Sequence, residues 1–120
     1  MLPARHRLRR SADFTSAVRG PGASRAGGRL LVVHVTVTDA RAGLAPRVGF
    51  VVSRAVGHAV VRNRTKRRLR ASAASRLSGI PAGYDVVVRA NPEASAATYQ
   101  QLDTALGRQL TRVLEKAGTR

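Results

Sequence analysis

Apolar positions recur along this chain at two different periods, and the switches between them mark its elements. Phe14, Ala17 and Val18 share one face of a short helix. Ser11 is the expected N-cap, with Asp13 in the first turn to suit the helix dipole, and Gly20-Pro21-Gly22 is the stop. Residues 20–28, rich in Gly, Ala and Ser and including Arg25, read as a flexible loop. From Arg29 to Thr38 the β-branched content predicts a strand, and after the polar loop Asp39–Ala45 a second runs from Pro46 to about Ser53. The two together suggest an antiparallel hairpin.

The chain then turns through Ser53 to Gly57 into a long helix, expected over residues 57–77. Gly79-Ile80-Pro81-Ala82-Gly83 breaks it, and Tyr84 to Arg89 is a short, very apolar strand, predicted to be central in a sheet. After a turn at Asn91-Pro92, Thr98 and Gln101 have capping-box spacing. Leu102, Leu106, Leu110, Val113 and Ala117 then trace the apolar face of a last helix. The order helix–strand–strand–helix–strand–helix predicts a small α+β sandwich, with residues 1–120 as a single domain.

The long helix carries the chemistry. Six of the nine residues from Arg62 to Arg70 are basic. At 100° per residue, Val61, Thr65, Leu69 and Ser72 form a narrow stripe that can dock on a core. Arg62, Lys66 and Arg70 make a row beside it, and Arg64, Arg67 and Arg68 carry positive charge around the far side. Like charges at i, i+4 destabilise a helix by about 0.2–0.5 kcal/mol per pair, and no Asp or Glu lies between Asp39 and Asp85 to relieve them. A solvated helix face normally mixes both signs, and a localisation tract needs no apolar seam. A polyanion is the partner that neutralises this arrangement.

Composition sharpens that reading. The 120 residues hold 22 Lys+Arg against 6 Asp+Glu, a net charge of +16. Residues 1–76 carry +15 of it, so the binding surface belongs to the first two-thirds, including a basic N-terminal arm over residues 1–10. Nucleic acid should therefore bind with strong salt dependence. The absence of cysteine excludes disulfides and thiolate metal sites. No apolar run approaches the roughly 18 residues that span a membrane, which with no signal-peptide core makes a cytoplasmic protein the expectation. His6, His34 and His58 are scattered, the acids form no evident pair, and no nucleophile–base motif or metal-ligand spacing is present. No catalytic residue and no metal site are therefore expected in the protein itself.

Two stretches resemble the bacterial ribonuclease P protein component. One is Arg62-Asn63-Arg64 followed by Lys66-Arg67-Arg68 and Arg70, preceded by Val52-Ser53 and Gly57. The other is the opening Leu2-Pro3, Arg7-Leu8-Arg9 and Asp13-Phe14. Tyr84 to Arg89 and the helix start at Thr98-Tyr99 match the family's second half, so the likeness covers nearly the whole chain. The resemblance implies a mixed sheet with the basic helix in a left-handed βαβ crossover, against the usual right-handed rule. It implies the protein subunit of a ribonucleoprotein endonuclease that removes the 5′ leader of precursor tRNA. In such an enzyme the RNA subunit, with bound Mg²⁺, performs the hydrolysis, and no obligate protein partner or membrane is involved.

Carried over by position, the resemblance makes Arg62, Asn63, Arg64, Lys66, Arg67, Arg68 and Arg70 the face for the catalytic RNA. Phe14, Val18 and His34 become a cleft for the leader. Val18 and His34 stand where many relatives have aromatics, and His58 where Asn is frequent. With aromatics at only 3%, leader stacking should be thinner, or replaced by arginine contacts. A non-catalytic ribosomal or general structural RNA-binding protein fits composition and size equally well. A DNA-compacting protein would need a groove-reading element or dimer interface, and a self-sufficient nuclease a metal-binding carboxylate cluster, and the sequence shows neither.

Overall fold

A computed structural model describes residues 2–20 and 22–118. Three helices, α1 (Ser11–Arg19), α2 (Ala59–Ala74) and α3 (Tyr99–Gly118), pack on a four-stranded sheet. Its strands are β1 (Ser24–Gly27), β2 (Leu31–Val37), β3 (Arg47–Val51) and β4 (Tyr84–Ala90), in the order β1-β2-β4-β3. Two pairings are antiparallel and the β3–β4 pairing is parallel, so the sheet is mixed. A parallel neighbour needs a crossover connection, and α2 supplies it between β3 and β4.

The expected hairpin between the second and third strands does not form. The very apolar β4, with Val86, Val87 and Val88 all buried, inserts between β2 and β3. Central strands are covered on both faces, and β4 meets that demand better than the half-exposed β3. The stretch expected as a loop also contains a strand: β1 pairs with β2 from Ser24↔Val35 to Gly27↔Val32. Only Ser24 and Ala26 of its side chains are buried, a period too short to register against the Gly-rich flanks.

Alternation along β2 and β4 serves two cores. Leu31, Val33 and Val35, with Val86 and Val88, join Leu69, Leu102, Leu106 and Val113 in the main core beneath α2 and α3. On the other face a smaller cluster of Leu8, Ala17 and Val87 lies under α1, with Phe14, Val18 and Val51 packed against it. Helix boundaries differ from expectation in two helices. Ser11 is the first helical residue rather than the cap, and Arg10 precedes it in extended conformation. Pro21, the middle of the expected stop, lies outside the described residues. The basic helix ends at Ala74, before a 3₁₀ turn over Leu77–Gly79. The capping box of α3 is formed: Thr98 N donates to Gln101 Oε1 at 2.9 Å, and Gln101 N to Thr98 Oγ1 at 3.1 Å.

Candidate nucleic-acid interface

Helix α2 is entered through Gly57, whose φ of +153° favours glycine. Thr65, Leu69, Ser72 and Ala73 are buried, with Val61 half-buried above them. This is the expected stripe, and Thr65 joins it by donating its hydroxyl to Val61 O at 2.9 Å. At its far end the helix is fixed to α3. Ser72 Oγ donates to Asp103 Oδ1 at 2.6 Å, and Arg76 Nη2 lies 3.2 Å from the same oxygen. The Ser72 hydrogen bond, with the Arg76 charge adding to it, holds the Asp103 carboxyl below its ordinary range.

The cations between these anchors are left without carboxylates. Among the described residues, none of Arg62, Arg64, Lys66, Arg67, Arg68 and Arg70 forms an ion pair. They do not make one uniform face. Arg64 Nη2 donates to Ser95 O at 3.3 Å and Arg68 Nη1 to Ala97 O at 2.8 Å, just before α3. A guanidinium has five donors, so each is held in place by one and keeps others for a ligand, although Arg64 Nε is buried. Lys66 and Arg70 lean the opposite way and line a groove of about 260 Å³ with Arg7, Arg9, Phe14 and Phe50. Arg62 leaves that row and borders a depression with Arg54 and His58. Asn63 and Arg67 are exposed between the two sides.

The N-terminal arm reaches the groove because Leu2 and Leu8 are buried and Leu8 N donates to Val48 O at 3.0 Å. These apolar anchors carry Arg7 and Arg9 to the edge of β3. The sequence shows a basic arm over residues 1–10 but not this meeting with Lys66 and Arg70.

The second surface is the sheet face under and beside α1. Phe14 and Val18 reach the small cluster around Val87, and Val87 is the cross-strand partner of His34. Arg47 fixes α1 there: its Nε and Nη2 donate to Asp85 Oδ1 and Oδ2 at 2.8 and 2.7 Å, and its Nη1 lies 3.3 Å from Asp13 Oδ2. Fork-to-fork pairing of this kind sets orientation as well as energy.

His34 is 3% exposed, and its Nε2 has no hydrogen-bond partner among the described residues. Burial, then the charges of Arg89 and Arg25, push its pKa below the ordinary 6.5, so the ring is neutral. Beyond α1 the same face continues through Val32, Arg89 and Val51, which the register sets beside one another, while Arg25 lies opposite His34. Arg25, Arg89 and the Arg47–Asp85–Asp13 network are features that the motif-based reading missed. Alternation could have found most of them: Asp85, Val87 and Arg89 share one side of β4. Arg25 was hidden by the unrecognised strand.

Among the described residues, no group of three or more His, Cys, Asp or Glu side chains is placed to hold a metal ion. No helix among them is long and apolar enough to cross a membrane. The geometry offers two cationic tracts about one helix, and an apolar sheet face edged by arginines.

Comparison with known proteins agrees with that chemistry. The sequence model of the family described as Ribonuclease P matches residues 2–114. The chain is 52% identical to the ribonuclease P protein component of Streptomyces bikiniensis over 126 residues, covering 100% of both. It is 49% identical to that of Acidothermus cellulolyticus, covering 99% of each. Among solved structures, the Staphylococcus aureus RNase P protein superposes with a TM-score of 0.77 at 27% identity, over 88% of this chain and 93% of that one. The Thermotoga maritima RNase P protein gives 0.72 at 26% identity, over 87% and 94%.

Proposed function

The chain belongs to the ribonuclease P protein family, and from that premise we propose how its surfaces divide the work of the tRNA 5′-processing endoribonuclease. The basic helix binds the catalytic RNA. Arg64 and Arg68, tethered to backbone carbonyls, present fixed guanidiniums, while Lys66 and Arg70 act with Arg7 and Arg9 across the groove. Asn63, Arg67 and Arg62 complete the surface. Contacts of this kind recognise backbone and shape rather than sequence. The observation that carries the reading is the set of six cations with no carboxylate partner among the described residues, on a helix whose other face is locked into the core.

The leader of precursor tRNA lies on the sheet face, against Phe14, Val18 and His34, with Arg25 and Arg89 beside its phosphates. Here the protein contributes binding and orientation. The Mg²⁺ ion and the hydrolysis belong to the RNA subunit. The working compartment is the cytoplasm, and the partners are the catalytic RNA and precursor tRNA.

The test is cleavage of precursor tRNA at low Mg²⁺ by the cognate catalytic RNA, with and without the protein. Stimulation should appear with the wild type. It should disappear in an Arg62/Arg64/Arg68→Ala variant that keeps the wild-type circular dichroism. Tight RNA binding by the wild type without stimulation would overturn this division of labour.

A further inference from the structure

A pocket of about 530 Å³ lies away from both surfaces described above, between the β1–β2 turn and the first half of α3. Leu30, Leu31 and Ala105 form its apolar part, Arg29 and Arg108 stand exposed at its rim, and none of the residues lining it is acidic. Its turn is firmly held, because Asn91 Nδ2 donates to Gly28 O at 2.9 Å and to Arg29 O at 3.1 Å.

Gln109 is the informative residue. It is 5% exposed and lines the pocket. Its Oε1 lies 3.5 Å from Arg112 Nη1, while its Nε2 has no hydrogen-bond partner among the described residues. Gly28 makes room for this amide, since a Cβ there would collide with Nε2. Nε2 is not sealed in the core with the buried unpartnered atoms, so it faces the open pocket as a donor that a ligand can engage. The pocket thus combines an apolar floor, an unsatisfied amide and two cations at its mouth.

We infer that this pocket receives a single unstacked ribonucleotide of an RNA bound to the protein. The base would rest on the apolar floor with its edge at Gln109, and Arg29 and Arg108 would take the flanking phosphates. Unstacked nucleotides are the usual objects of specific RNA recognition. A path leads there from the basic helix: Arg68 is bound to Ala97 O, and the next residue, Thr98, is in the pocket wall. The inference rests on the functional reading above and extends its RNA surface around the start of α3.

The chain has no cysteine, so Thr104→Cys provides a unique attachment point for a photoactivated azidophenacyl group. Ala40→Cys, on a distant loop, is the reference position. Each labelled protein is irradiated with the catalytic RNA alone and with precursor tRNA alone, and the crosslinked nucleotides are mapped. In parallel, RNA affinity is measured for Arg29→Ala/Arg108→Ala and for Arg19→Ala/Arg41→Ala, which removes the same charge away from the pocket.

The expected result is a crosslink from Thr104→Cys confined to one or two nucleotides, with at least tenfold weaker binding of that same RNA by the Arg29/Arg108 variant than by its charge control. Which RNA is crosslinked decides whether the nucleotide comes from the catalytic RNA or the substrate. Crosslinks no more focused than those from Ala40→Cys, or equal affinities in the two double variants, would each overturn the inference. Wild-type stimulation of cleavage, assayed on the same preparations, reports separately on the parent reading.

Discussion

Phe14 lies directly on Gly49: a Cβ at Gly49 would fall closer than 3.0 Å to the edge of the Phe14 ring, and 3.0 Å from Leu8 Cβ. The missing side chain on β3 is what lets α1 and the N-terminal arm settle on the sheet. Gly49→Ala therefore lifts Phe14 off its seat. The expected cost is about 1–3 kcal/mol, the usual range for overpacking, read as a lowered urea midpoint. Leader affinity should fall in the same variant, and so should the share of catalytic-RNA affinity that Arg7 and Arg9 contribute from the displaced arm. Unchanged stability would show that α1 is free to move without loss.

Asp13 and Asp85 share Arg47 unequally. Asp85 is buried and takes two short hydrogen bonds, whereas Asp13 sits at 3.3 Å with its side chain 30% exposed. Arg47→Ala leaves Asp85 buried without its cation and should destabilise the fold by about 3–5 kcal/mol. Asp13→Asn removes a partly solvated contact and should cost less than about 1 kcal/mol. Chemical denaturation of both variants checks the contrast, and equal losses would mean that α1 depends on Asp13 as much as β4 depends on Arg47.

Much of this arrangement was legible in the chain. The stripe Val61–Thr65–Leu69–Ser72 and the Thr98/Gln101 box follow from local spacing alone, because helix contacts close within four residues. Strand pairing does not close locally. Nothing near Pro46–Ser53 announces that its neighbour is a strand more than thirty residues later, and proximity favoured the wrong hairpin. The cationic helix was likewise readable as a positive run, but its division between Ser95/Ala97 and the N-terminal arm depends on where α3 and Leu8 are placed. Phe14, Val18 and His34 are proposed for the leader cleft through family likeness alone. Their arginine neighbours needed the register.

His34 should make stability depend on pH. Its folded pKa is lowered by burial, then by Arg89 on β4 and Arg25 on β1. Below 6.5 the unfolded chain takes up a proton that the folded chain resists. The stabilising contribution is thus complete above 6.5 and declines as pH falls below it towards the folded value. Urea midpoints between pH 7.5 and 5.5 should decrease in the wild type, and His34→Tyr should remove that part of the slope. The same substitution should strengthen binding of leader-bearing precursor tRNA relative to leaderless tRNA, because base–aromatic stacking contributes about 1–3 kcal/mol per base. No gain with Tyr would place the leader elsewhere.

Arg64 and Arg68 differ from an ordinary charged face in being tethered to Ser95 O and Ala97 O. An Arg64→Lys/Arg68→Lys variant separates charge from that geometry. Lysine keeps the cation, so the dependence of log K on log[salt] should be nearly unchanged. An ammonium bound to a carbonyl lacks a planar fork for a phosphate, and affinity for the catalytic RNA should fall about tenfold, or roughly 1.4 kcal/mol. The alanine pair should lose more and also flatten the salt slope, by roughly 0.7–0.9 for each phosphate contact removed. Titrations at three salt concentrations distinguish these outcomes. If the lysine pair binds like the wild type, the two arginines act as point charges, and the carbonyl tethers serve only the packing of α2 against the start of α3.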